Sequence, residues 1–188
     1  MMKNITIKGD LHVGKGVENS FFSESTKVEG KTTIDDSLQV VSKTQSYKSL
    51  GAKLASTNNI PVAVNETATR GRVVFSEFQL GDVGVDKNAD VIFLSKTSGT
   101  STVGEIVVKS NATINAENSV VLPKVVIAQG ANDVAINSNV TSLQVTTTGE
   151  VKLSGKSDIV NLSLKTNANV DLQTIGRISN LETVNKET

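Results

Sequence analysis

Apolar residues return every nineteen positions through the last eighty residues of the chain. Val140, Ile159 and Ile178 fall in step, as do Leu143, Leu162 and Leu181, and then Val145, Leu164 and Thr183. A second apolar pair keeps the same step, Val151 with Leu153 and then Val170 with Leu172. Each unit thus carries two short alternating segments separated by polar turns, the sequence form of a coil stacked on a like coil. Toward the N-terminus, Leu122, Val125 and Ile127 match the set at eighteen, and Val103, Ile106 and Val108 match one unit earlier at nineteen. Five units therefore share the form apolar, two residues, apolar, one residue, apolar. Phe75, Phe78 and Leu80 have it too, twenty-eight before Val103, which predicts a longer loop with its extra residues over 81–90 and 95–102.

The first units follow a related form, in which Ile7, Gly9, Leu11 and Val13 correspond to Val28, Gly30, Thr32 and Ile34 at a spacing of twenty-one, with Gly71, Val73 and Phe75 as a further echo. A glycine two residues ahead of a strand suits a tight corner where neighbouring coils approach closely. Between Thr44 and Asn59 the period changes: Tyr47, Leu50 and Leu54 predict a short helix or compact loop near 45–59, ended by Asn58, Asn59 and Pro61. The expected architecture is all-β: a single-chain right-handed parallel β-helix (β-solenoid) of about nineteen residues per coil. It forms one domain over residues 1–188, with an insertion over about 42–70. The long, irregular units favour the right-handed form over the left-handed hexapeptide form. Seven or eight coils at about 4.8 Å would make a rod roughly 35 to 40 Å long.

Composition narrows the function. The apolar share is 37% with 14 glycines, enough for a thin core. Nineteen basic and nineteen acidic groups cancel, and only Arg70, Arg72 and Arg177 are arginines, so no basic footprint for nucleic acid is visible. There is no cysteine, and no apolar run long enough for a transmembrane helix. The first residues lack the apolar stretch of a signal peptide. That leaves an intracellular protein or a segment of a longer exported chain, and the second is the expectation.

Candidate chemistry is sparse. Glycosidases need two carboxyls facing one another across the bond; Asp35 and Asp36 are adjacent and would face opposite ways on a strand, and Asp171 stands alone. Asp82, Asp86, Asn88 and Asp90 contain the start of a calcium loop, but Val91 and Thr97 stand where glycine and glutamate would be needed, and a polar turn accounts for the cluster. His12, the one histidine, lies between Leu11 and Val13 and should point outward, with no serine motif beside it. Gly14, Gly16 and Gly30 read as corners rather than a phosphate cradle. With no tryptophan and only Tyr47, an aromatic sugar platform is not encoded, although hydrogen-bonding side chains on flat faces could hold a glycan weakly; Phe21 and Phe22 read as core or cap residues. Seventeen asparagines suit corners, where Asn161 and Asn180 hold equivalent positions and could form a side-chain ladder. No catalytic, cofactor-binding or metal-binding residue is predicted.

The stretch Gly9-Asp10-Leu11-His12-Val13-Gly14-Lys15-Gly16-Val17, followed by Val28-Glu29-Gly30-Lys31-Thr32, resembles segments beside S-layer homology domains in Firmicute surface proteins. Those read G-D-L-x-[IV]-G-x-G-V and then V-x-G-x-[TL], and the C-terminal units are similar to the same proteins' I-x-x-L-x-[VL] repeats. The likeness covers most of the chain except Val40 to Arg70, and S-layer homology domains themselves are missing from it. It implies a non-enzymatic structural or adhesive module on the bacterial, Gram-positive cell surface. Its partners would be cell-wall or host glycans or other surface proteins, without nucleic acid or membrane, and its state a monomer or an end-to-end assembly. A second resemblance, to the cytosolic β-helical polymer bactofilin, implies a self-assembling cytoskeletal solenoid, and a polysaccharide-active β-helix enzyme is a third expectation.

Overall fold

A computed structural model describes residues 1–14, 20–35, 71–97, 100–117, 119–173 and 176–184. In chain order the strands are β1 (Met2–Ile7), β2 (Leu11–Val13), β3 (Ser20–Val28), β4 (Thr32–Ile34), β5 (Gly71–Leu80), β6 (Val83–Val85), β7 (Ala89–Leu94) and β8 (Glu105–Val108). They continue as β9 (Ala112–Ala116), β10 (Leu122–Ile127), β11 (Asp133–Asn137), β12 (Val140–Val145), β13 (Glu150–Ser154), β14 (Ile159–Leu164), β15 (Asn169–Leu172) and β16 (Ile178–Thr183). Odd strands form one eight-stranded sheet and even strands a second, each in sequence order. Every pairing between them is parallel. The chain is thus a β-solenoid of about seven turns, roughly 34 Å long at about 4.8 Å per rung. The predicted helix or loop near 45–59, and the insertion around it, lie outside the described residues.

The nineteen-residue register holds at the C-terminal end, where Val140 pairs with Ile159 and Ile159 with Ile178, Leu143 with Leu162 and Leu162 with Leu181. On the other sheet Val151 pairs with Val170 and Leu153 with Leu172. The twenty-one-residue step also holds at the start, pairing Ile7 with Val28 and Leu11 with Thr32. One alignment is corrected. Phe75 and Phe78 belong to the odd sheet, where Phe75 pairs with Phe93, and Val83 is the residue that pairs with Ile106. The true predecessor of Val103, Ile106 and Val108 is Leu80, Val83 and Val85, which has the same apolar form and overlaps the rejected triplet at Leu80. The extra residues then lie in the 95–104 connection alone, since Gly71 pairs with Ala89 only eighteen residues on. Gly71 and Val73 likewise echo nothing at Gly30, because Val73 pairs with Phe21.

The first three coils bend where the later ones do not. Asn4, Ser25 and Glu77 have φ of 52°, 53° and 49°, and the strand register stacks them in one column. A left-handed residue inside a strand is unfavourable for most side chains other than glycine and asparagine, and it resets the in-out alternation. Phe75 and Phe78 therefore both face inward, where Phe93 stacks on Phe75 at 5.8 Å and meets Phe78 at 5.2 Å. Phe21 lies half-buried against Phe75 at 5.9 Å. In the coil beneath these rings the inward positions are the small Ser23 and Thr26, so volume is matched between rungs. A glycine column, Gly9, Gly30, Gly81 and Gly104, turns the chain into the even sheet. A side chain at Gly30 would meet the Gly9 carbonyl at 2.7 Å, which is why the corner excludes one.

Candidate functional site

On the outer surface, polar side chains of one coil repeatedly serve the backbone of the next. The Asp10 carboxylate accepts the Lys31 amide at 2.8 Å, Asp82 accepts Glu105 at 2.9 Å, and Asp158 accepts Arg177 at 2.9 Å. Asn111 accepts both Asn132 and Asp133 at 3.0 Å, and Asn137 accepts Lys156 at 3.0 Å. Asn180 donates its side-chain amide to Asn161 at 2.9 Å, the expected ladder, but on mid-strand outer positions rather than at a corner. A second ladder joins Asn137 to Asn115 at 2.8 Å. Ion pairs climb the surface in the same way, with Lys124 on Glu105 at 2.5 Å and Lys165 on Glu182 at 2.8 Å. The Lys165 ammonium and the Ser163 hydroxyl hold the Glu182 carboxyl below the usual carboxylate range, and Lys3 does the same for Glu24.

The residues weighed for chemistry are dispersed. His12 faces outward, as alternation requires, and its Nδ1 lies 3.4 Å from Asp35 Oδ2, a carboxylate partner that sequence spacing did not reveal. Asp36 lies outside the described residues. Asp86 is held by the Lys109 ammonium at 3.2 Å and Asn88 accepts the Ser110 hydroxyl at 2.6 Å, so the residues of the calcium-like run are turned to inter-coil partners. Among the described residues no three His, Cys, Asp or Glu side chains gather as a metal site. Asp171 accepts from Gln173 at 2.6 Å on the exposed strand β15.

A concavity lined by polar groups lies at the left-handed column. It measures about 260 Å³ and is rimmed by Ser25, Lys27, Glu77, Gln79 and Thr100, with Thr26 and Phe78 beneath. Two stacked columns frame it, Ser25 and Glu77 on one side and Lys27 and Gln79 on the other. Glu77 also anchors the 95–100 turn, accepting the Lys96 amide and, at 3.4 Å, the Thr100 hydroxyl. Sequence reasoning passed over these residues. Their signal was the spacing of Ser23, Thr26 and Val28, and of Phe75, Phe78 and Leu80, which breaks strict alternation. A second hollow of similar volume, lined by Asn139, Lys156, Ser157, Asp158 and Gly176, sits at a corner of the late coils.

Among the described residues the last coil has a neighbour on one side only. Leu181 is 61% exposed and Leu172 47%, on strands paired on one side only.

The fold and surface define the chain as a parallel β-solenoid whose outer polar residues stitch coil to coil. Comparison with family models, with characterised proteins and with solved structures finds no match.

Proposed function

We propose that the chain is a non-enzymatic structural or adhesive module of a bacterial cell-surface protein. The observation that carries this reading is the engagement of outward Asp and Asn side chains by the backbone of the adjacent coil, from Asp10 to Asp158. Groups held in this way stiffen a rod and are not placed to move protons on a substrate. The cell-surface part of the proposal rests on the likeness of the Gly9 to Val17 and Val28 to Thr32 motifs to segments beside S-layer homology domains. A rod of stacked coils suits a spacer, because each coil adds length while contacting only its neighbours.

A second reading, a self-assembling solenoid, is favoured by Leu172 and Leu181, which are exposed on strands that pair on one side only among the described residues. Light scattering and electron microscopy over a concentration series separate the two. A rigid rod of constant mass supports the spacer, and filaments one coil wide favour assembly. Turnover of an acidic polysaccharide would overturn both.

A further inference from the structure

We propose that the cleft at the left-handed column is a binding site for one neutral sugar unit. Its single cation, Lys27, already pairs with Glu29 at 3.0 Å, and the Glu77 carboxylate borders the same space, so a phosphate or other strong anion meets as much repulsion as attraction. One carboxylate is too few for a divalent metal ion. Phe78 is buried, so no ring face is offered to a flat aromatic ligand. An extended peptide would need a free strand edge. Here the Leu80 amide donates to the Thr102 carbonyl at 2.8 Å, Thr102 donates to Phe78 at 2.9 Å, and the Phe78 amide donates to the Ser101 hydroxyl at 3.2 Å.

What fits is a ligand whose every polar group both donates and accepts. Glu77 offers its Oε2, whose contact with Thr100 is long at 3.4 Å, Gln79 an amide and Ser25 a hydroxyl, while Thr100, whose proton goes to the Thr97 carbonyl at 2.8 Å, offers an acceptor. Vicinal hydroxyls on a sugar ring match such a mixed set. The volume of about 260 Å³ lies below the roughly 300 to 1,000 Å³ of drug-sized pockets and takes one ring rather than a buried oligosaccharide. The left-handed residues create the site: by turning the strand at Ser25 and Glu77 they bring two polar columns to face one another across a hollow, which a flat strand would not do.

The test is a set of amide proton–nitrogen correlation spectra of the whole chain, titrated with the methyl glycosides of glucose, galactose and N-acetylglucosamine. At least one should move the amides of Ser25 to Lys27, Glu77 to Gln79 and Thr100 together, with millimolar affinity, because the cleft is open and lacks a stacking ring. Gln79→Ala and Ser25→Gly, both at outward positions, should each weaken binding about fivefold, the worth of one hydrogen bond, without lowering Tm. Silence of those amides toward all three glycosides overturns the proposal, as do shifts that persist unchanged in both variants. The site rests on the cleft alone, so its failure would leave the surface-module reading standing, and filaments would defeat that reading without touching the site.

Discussion

Thr32 interrupts an otherwise apolar inner column that runs Leu11, Thr32, Val83, Ile106, Val125, Leu143, Leu162 and Leu181. It is fully buried and its hydroxyl has no partner among the described residues. A buried hydroxyl left unsatisfied costs about 1 to 3 kcal/mol, and valine replaces it with a methyl group of nearly equal size in a column already lined by Val83. Thr32→Val should therefore stabilise the fold by about 1 to 2 kcal/mol. For a chain of this length that raises Tm by about 2 to 8 °C. The control is Thr147→Val, at a residue equally buried whose hydroxyl donates to Gln129 and accepts from the Gly149 amide, both at 3.4 Å; it should lose about 1 kcal/mol. Differential scanning calorimetry compares the pair. Because stacked coils do not unfold as one obligatory unit, native-state hydrogen exchange at the amides of Leu11, Thr33 and Val83 locates any gain. A fall in Tm for Thr32→Val, equal to that of Thr147→Val, would refute the reasoning and mean that the Thr32 hydroxyl has a partner inside the coil.

Leu143→Asp should destabilise strongly, since it places a carboxylate at a fully buried rung, whereas Leu181→Asp at 61% exposure should cost little; chemical denaturation of the two variants checks the contrast. Gly155→Ala should be among the most damaging single-methyl changes, because φ is +109° there and the new carbon would lie 2.2 Å from the Ile136 carbonyl oxygen, while Gly149→Ala, whose new carbon would come no nearer than 3.9 Å to a neighbour, should be near neutral in the same melts. Glu182 titrates below the ordinary carboxylate range because Lys165 and Ser163 hydrogen-bond its charged form. The stabilisation is then present above the ordinary value and lost as pH falls through the folded one. A carbon-detected titration should show Lys165→Met moving the Glu182 midpoint upward.

The register of the late coils was legible because like residues stack on like at a constant step, as Leu143, Leu162 and Leu181 do. Burial was less legible: those three leucines look equivalent in sequence, yet only the first two have a coil on both sides. The early coils misled at Phe75, Phe78 and Leu80. Two triplets of identical form overlap there, and pattern alone does not say that a left-handed Glu77 has reset the alternation. The asparagine ladder was legible as a spacing but not as a location, since an outward mid-strand position and a corner repeat with the same period. The His12 to Asp35 approach was hidden because the twenty-one-residue step sets His12 against Thr33, and the contact is made diagonally to Asp35, two residues further on.

Regularity and recognition are in tension along this rod. Where the step is constant, an outward Asp or Asn always finds the same backbone amide above it, and the polar surface is consumed in joining coils, as from Asn137 to Lys156 and from Asp158 to Arg177. The same bond survives a longer step at the corner, where Asp82 accepts the Glu105 amide, but not at the left-handed column. The connection between Ser95 and Gly104 is long enough to swing Thr100 over the column that holds Ser25 and Glu77, and the groups gathered there are not all taken by a neighbouring strand. A repeat protein that must both stay rigid and bind something has to place its binding groups at such a defect, since a group that binds a ligand cannot also be closing the next coil. The cleft at Glu77 is the place where this chain departs from its own repeat in backbone conformation, coil length and side-chain alternation together, and that coincidence makes it the first surface on which to look for a ligand.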